Sequence, residues 1–286
     1  MLVRRAERRL ALSDDANPDR RLLRPARVLA TIGLALGLLL AVLLALYLAR
    51  NGLRDIRDTF FAWEHLRDSF PSVRKGFWLN IKLFVVAEAL VLVWGLVVVL
   101  ARLAPGKAAA PVRWLAIAYI DVFRGLPAIV TIYLVGFGLP LTGISFFEDL
   151  ELFWFGVLAL TLIYGAYVAE VYRAGIESVH WSQAAAARSL GLSYSQTMRF
   201  VVVPQAVRRV IPPLLNDFIG LQKDTALINV LGLLEGFNRA RIYAGNNFNL
   251  SSVVGLGICF VVITVPMTRL TDYLVKRDQR RLQAVA

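Results

Sequence analysis

The sequence predicts an all-α, polytopic membrane protein with about six transmembrane helices. Three observations carry this reading. Hydrophobic residues make up 58% of the 286, with a mean hydropathy of +0.61, whereas soluble domains sit near half apolar. The apolar runs are also long. A bilayer core is about 30 Å thick and needs roughly 20 apolar helical residues. Val28–Ala49 has that length without a charge, Phe77–Ala101 carries Glu88 near its middle, and Ser252–Val275 is charged only near its end. Finally, lysine and arginine are shared unevenly among the segments between the runs.

Taken in order, residues 1–27 form a basic tail with eight arginines, expected to be loosely ordered. The first span covers 28–49. It is too long, and preceded by too many polar residues, for a cleavable signal peptide, so it is expected to stay as an anchor. A charged connection, 50–76, contains the amphipathic stretch Phe60–Phe70. Spans follow at about 77–101, 114–138, 152–172, 211–233 and 252–275. They are separated by a Pro/Gly/Lys connection (Ala104–Pro111), an acidic loop (Phe146–Glu151) and a long polar segment, 173–209. Residues 276–286 form a second basic tail.

Orientation follows from the basic residues. With the N-terminus inside, the inner segments 1–27, 102–113, 173–209 and 276–286 hold twenty Lys and Arg, and the outer segments 50–76, 138–151 and 234–251 hold eight. Cytoplasmic segments are richer in these residues, so both termini are expected in the cytoplasm. The six basic residues of Arg50–Gly76 run against this but do not reverse the total. The net charge of +12 has the same origin, and no nucleic-acid recognition module accompanies it. Cys259 is the single cysteine and cannot form an intrachain disulfide. His65 and His180 lie apart in polar segments, so no metal site is expected.

The 173–209 segment is long for a connection, and such loops usually carry structure or a task. Gln183–Ser189 is alanine-rich and favours helix. Gly191 interrupts it as a C-cap glycine does. Ser193 can cap a second short helix running to Phe200, which Pro204 ends. On physical grounds alone this helix–Gly–helix unit could rest on lipid as an interfacial helix or dock a partner.

The stretch AYVAEVYRAGIESVHWSQAAAARSLGLSYSQTMRFVVVPQAVRRVIPPLLNDFIGLQKDTAL (Ala166–Leu227) resembles the inner-membrane permease subunits of ATP-binding-cassette amino-acid importers, the polar-amino-acid group in particular. DVFRGLP (Asp121–Pro127) is similar to a second, shorter motif of that family, and the resemblance covers roughly Gly76–Leu274. It implies a type I importer permease fold with a permease core at 77–275, to which helix 28–49 is an addition. It also implies a coupling helix that fits a cleft in a cytoplasmic ATPase. Gln183, Ala185, Ala186, Gly191, Pro204 and Gln205 fall on the marked positions of that loop. The family's usual Glu is replaced by Ala185, and its usual preceding Gly by Ser182. The implied partners are an ATPase dimer that uses ATP and Mg, a second permease subunit, identical or related, an extracytoplasmic substrate-binding protein, and an amino-acid substrate. This chain has no P-loop pattern and no catalytic constellation, so it is read as a non-catalytic transport subunit without a cofactor of its own.

Charged groups inside spans are costly and are functional candidates by default. Glu88 is either a substrate group or a structural carboxyl facing other helices. Asp121 and Arg124, three residues apart, can meet on one helix face, and with Gly125 and Pro127 they suggest a structural hinge. Glu170 and Arg173 suit a structural ion pair. In the fifth span, Asn216, Asp217, Lys223, Asp224 and Thr225 are candidates for a substrate pathway. Asn216 and Lys223 share one face, Asp217 and Asp224 its neighbour. Lys223 with the two carboxylates could serve both ends of a zwitterion, or the cluster could hold two permease subunits together. Pro212 and Pro213 are placed in the first turn of that span, where proline is tolerated. Two rival functions remain from the residues alone: a secondary active transporter, or a membrane scaffold without transport activity.

Overall fold

The computed structural model describes residues 18–48 and 50–283, with side-chain surroundings for 31–44, 46–48 and 52–277. Residues 1–17 of the basic tail and the last three of the C-terminal tail lie outside the described residues. Every regular element among the described residues is helical. The chain divides into two compact units, residues 1–58 and 59–286.

The first unit contains α1 (Pro18–Leu48) and most of α2 (Arg50–Phe60). Helix α1 begins ten residues before the predicted span, because Arg20–Arg27 continue the helix of the apolar run. In α2, Leu53, Ile56 and Phe60 recur at helical spacing between charged residues, which converts part of the predicted connection 50–76 into an amphipathic helix.

The second unit is built around α3 (Trp63–Arg102) and α7 (Leu152–Glu177). Helix α3 has 40 residues, about 60 Å at 1.5 Å per residue. It starts well before the predicted residue 77, since Pro71 is accommodated inside it and its first turns are packed. Val73 meets Ala240 and Leu256 in a small apolar cluster. The main core lies between α3 and α7, where Leu83, Ala87 and Val91 pack with Val157, Leu160 and Ile163. Gly95 sets the closeness of this crossing: a Cβ there would stand 2.7 Å from Val168 Cγ1. Small residues let membrane helices approach in this way.

The predicted span 114–138 is broken. Helix α4 (Ala110–Gly125) and α5 (Ala128–Tyr133), which continues as a π turn to Gly138, meet at 111°. Leu126 is extended, with φ −84° and ψ 138°, as a residue before proline must tend to be. The hinge at Gly125–Pro127 is thus a true corner. The expected meeting of Asp121 and Arg124 does not occur: both are exposed, and Arg124 lies over the Tyr167 ring instead. A short helix, α6 (Ser145–Glu148), occupies the acidic loop.

Helix α8 (Trp181–Ser189), the short α9 (Tyr194–Thr197) and α10 (Val203–Asp224) follow. Ser193 caps α9 with a full capping box, in which Gln196 donates its backbone N–H to Ser193 and returns its side chain to the Ser193 N–H. Two expectations about proline need correction. Pro204 does not end the second helix. The chain widens into a π turn at Met198–Val202 and Pro204 enters the first turn of α10, where a missing N–H costs little. Helix α10 therefore begins eight residues before the predicted 211, so Pro212 and Pro213 lie in its interior. It ends at Asp224 and passes into a 3-10 turn, Thr225–Leu231.

The last helices are α11 (Gly236–Asn247) and α12 (Ser251–Gln283). A buried polar knot joins α11 to α3. Asn80 donates to Glu235 Oε2 at 2.9 Å and to Thr225 Oγ1 at 3.2 Å, and accepts the Gly236 N–H at 2.8 Å. Glu235 also caps α11, accepting the N–H groups of Phe237 and Asn238. Four helices among the described residues are long and apolar enough to cross a membrane, or five if the bent pair is one span. The remaining predicted span, α10, is long enough at 22 residues but carries Arg208, Arg209, Asp217, Lys223 and Asp224.

Gly95→Val is expected to force α3 and α7 apart. Overpacking of this kind costs about 1–3 kcal/mol, and the loss should appear as a lower midpoint in thermal unfolding of the detergent-solubilised protein.

Candidate functional site

The charges that α10 brings into the bundle decide where polar chemistry is possible. The helix presents Asn216, Asp217, Gly220 and Asp224 to α7 and to the corner after α4, enclosing a recess of about 200 Å³ that Tyr164, Tyr167 and Leu126 complete. A second recess, of about 410 Å³, continues from it. It shares Tyr167 and Asp217 and adds Arg124, Glu170, Arg209 and Pro213. The two form one polar track along α10. From Arg209 to Asp224 it runs about 22 Å at the helical rise.

Each wall has a local cause. Gly220 leaves room for Tyr164, whose hydroxyl would stand 3.0 Å from a Cβ there. The Tyr164 hydroxyl donates to Asp224 Oδ2 at 2.8 Å and so holds that carboxylate at the end of the track. Arg124 reaches the track because the corner at Leu126–Pro127 carries α5 away from it, leaving its guanidinium 5.5 Å from the centre of the Tyr167 ring. Asp217 Oδ2 is buried without a hydrogen-bond partner. A buried unsatisfied carboxylate oxygen is costly and asks for an explanation. Lining an open recess with a guanidinium on the same wall, it is placed to accept from a bound polar molecule. Below it, Glu170 bridges Arg173, at 2.7 Å, and Arg102, and Arg173 also reaches Glu177. The expected pair Glu170–Arg173 is therefore one edge of a four-membered network.

The structure brings only some of the predicted pathway residues together. Asn216, Asp217 and Asp224 line the track. Lys223 lines neither recess and is exposed; the cations that line the track are Arg124, expected at the hinge, and Arg209. Thr225 is fully buried in the Asn80 knot rather than on a pathway. Glu88 is half-buried on α3 and lines neither recess, although it lies within electrostatic reach of Asp217. Tyr164, Tyr167 and Arg209 were missed, as were Asn80 and Glu235. Aromatic residues in an apolar run carry no local sign of facing a cavity, and nothing in the spacing links positions 80, 225 and 235. Another hollow, of about 580 Å³, is lined by Leu90, Trp94, Phe147, Trp154 and other apolar groups with Thr161. It suits hydrocarbon and offers a charged solute nothing.

The residues expected in coupling are spread from α8 to the first turn of α10. Gln183, Ala185 and Ala186 are exposed on α8, whose inward side buries Ala187. Gly191 takes φ +88°, a left-handed conformation that glycine adopts without penalty. Pro204 is exposed, and the Gln205 side chain donates to Val201 O at 3.0 Å across the π turn. Val179, Val202 and Ala206 form an apolar cluster beneath the hairpin, flanked by Ala184 and Met198, that fastens α8 to the root of α10. His180 caps α8 by accepting from the Ser182 N–H, and His65 lies 3.1 Å from the Tyr243 hydroxyl on another element.

Known proteins resemble this chain in sequence and fold. Residues 98–280 match the family model described as binding-protein-dependent transport system inner membrane component. A probable glutamine ABC transporter permease protein, GlnM, of Bacillus subtilis is 34% identical over 216 residues, which are 75% of this chain and 97% of that protein. The glutamate/aspartate import permease protein GltK of Escherichia coli is 32% identical over 223 residues, 76% of this chain and 98% of that protein. The arginine transport system permease protein ArtQ of Bacillus subtilis is 32% identical over 216 residues, 75% and 94% of the two chains. Among solved structures, one described as an amino acid ABC transporter with histidines has a TM-score of 0.66 and 31% identity, covering 72% of this chain and 94% of that one. An inward-facing structure of the MetNI methionine ABC transporter, at 18% identity, 72% and 95% coverage and a TM-score of 0.58, shares the fold. The chain is a multi-pass membrane protein and belongs to the family of binding-protein-dependent transport system inner membrane components.

Proposed function

We propose that this chain is the permease subunit of an ABC importer that moves an amino acid into the cell, with the track along α10 as its part of the pathway. The observation that carries the site is the unpartnered Asp217 carboxylate oxygen in a recess that also presents Arg124. An amino-acid zwitterion carries an ammonium and a carboxylate, and these two side chains complement both ends. The relatives named above are permeases for glutamine, glutamate/aspartate and arginine, which supports an amino-acid substrate without selecting one.

In this reading the hairpin from Trp181 to Val202 docks a separate ATPase, which holds ATP and Mg and performs the hydrolysis. The fastening of α8 to the root of α10 supports it, because a displacement of the hairpin is then passed to the helix that lines the track. A second permease subunit closes the open side of the pathway, and an extracytoplasmic binding protein delivers the solute. Both termini face the cytoplasm, by the excess of basic residues on that side. Family membership argues against the secondary-transporter and scaffold alternatives.

Two outcomes test this. Asp217→Asn and Arg124→Gln should each lower amino-acid uptake into vesicles about tenfold or more, the effect of losing one charge-assisted contact of about 1.5–3 kcal/mol, while leaving assembly with the ATPase intact. Unchanged uptake in both variants would remove the track from the pathway. Gly191→Arg should abolish solute-stimulated ATP hydrolysis by the assembled transporter, since arginine at φ +88° strains the turn that aims α8. Normal coupling in that variant would show that the hairpin does not transmit the stroke.

A further inference from the structure

The hairpin surface has a one-sided charge pattern. Between Glu177 and Asp217 the sequence contains no acidic residue, while Arg188, Arg199, Arg208 and Arg209 fall within that stretch. Arg209 is used internally, donating to the Ser178 carbonyl oxygen. Arg188, Arg199 and Arg208 are exposed, and among the described residues none of them makes an ion pair. Arg199 is only stacked near Phe200, 5.6 Å from its ring centre. The same stretch also carries large exposed apolar side chains: Trp181, Leu190, Tyr194 and Phe200.

Basic and aromatic residues together also suit a lipid headgroup layer, so the shape of α8 decides between the two. A helix that lies on lipid segregates large apolar residues onto one side. Apart from Trp181 at its start and Arg188, the outward positions of α8 are Ser182, Gln183, Ala185, Ala186 and Ser189, all exposed and mostly small. Such a face gives lipid little to hold. It does let another backbone come close, as a protein cleft requires.

We infer that the docking surface of this chain fits a protein cleft lined by carboxylates, into which α8 inserts its small face while Arg188 and Arg199 pair with acidic groups at the rim. This rests on the reading of the hairpin as the ATPase-docking element and names the chemistry that the ATPase presents. Exposed charge pairs are each worth about a two- to fivefold change in binding. Charges at an interface rim also make association salt-dependent, because the Debye length falls from about 10 Å at 0.1 M to about 3 Å at 1 M.

The test uses the whole protein, tagged and extracted from its host membranes in mild detergent. The co-purifying ATPase, identified by P-loop peptides in its mass spectrum, is quantified at low and at high sodium chloride. Arg188→Glu with Arg199→Glu should reduce the retained ATPase about tenfold or more, and high salt should reduce it in the wild type. Ala185→Glu should also weaken retention, because it places a carboxylate against an acidic cleft, while Arg188→Lys should retain most of it. Leu190→Asp, at an exposed position where the fold is not at stake, is the docking control. If Leu190→Asp releases the ATPase but salt and charge reversal do not, the acidic cleft is wrong and the docking surface stands. If Leu190→Asp also leaves the ATPase bound, the docking reading itself falls. If ATPase retention is unchanged while the wild type carries anionic phospholipid that the reversed variants lose, the arginines serve lipid and the proposal is overturned.

Discussion

A charged side chain at the centre of a bilayer costs about 2.5–3.5 kcal/mol on insertion scales and more on an isolated helix. Helix α10 carries such charges in a length suited to crossing, so the rest of the bundle is arranged around satisfying them. Asp224 is held by the Tyr164 hydroxyl, and on neighbouring helices Glu170 is held by two arginines and Arg124 by the face of Tyr167. Among the described residues, Asp217 then has a buried carboxylate oxygen without a hydrogen-bond partner. The same constraint explains why α10 fails the apolarity expected of a membrane span and still belongs in the bundle: Arg209, Asp217 and Asp224 line the recesses.

The packed half of the molecule provides the stiffness that such an arrangement needs. Gly95 brings α3 and α7 within direct contact, and Gly175 does the same where α7 meets Val210 of α10. At one end of the bundle, the Asn80–Glu235–Thr225 knot ties α3 to the turn after α10 and to α11. At the other, the cluster of Val179, Val202 and Ala206 ties the hairpin to α10. Helix α10 is thus gripped at both of its ends and lined by polar groups between them, which is the geometry expected of an element that conveys movement to a solute path.

Run length and basic-residue distribution made the helical membrane class legible in the sequence, and the alanine-rich stretch, Gly191 and Ser193 made the hairpin legible almost residue by residue. The misreadings concern context. Pro204 was read as a terminator because proline usually is one; a π turn just before it removes the conflict, and that widening has no signature in composition. Moving the start of α10 upstream then carried Pro212 and Pro213 into the helix interior. Along the recesses, Asp217 and Asp224 are visible in the sequence as charges in a span, but the arginine that lines the same wall is not. Lys223 is nearest in sequence, while Arg124 arrives from another element through a sharp corner whose angle the motif does not encode. Thr225 is polar and adjacent to the pathway residues, yet its partner Asn80 lies far away in sequence.

The central claim is that Asp217 faces a polar path that a solute occupies. With Cys259 replaced by serine, Asp217→Cys gives a single thiol whose reaction with a small charged, water-soluble reagent can be followed in membranes holding the assembled transporter. The account predicts labelling that is slowed by the transported amino acid and changed when ATP is supplied to the ATPase. A thiol that stays unreactive to water-soluble reagents, yet reacts with apolar ones, would contradict it by placing position 217 against hydrocarbon.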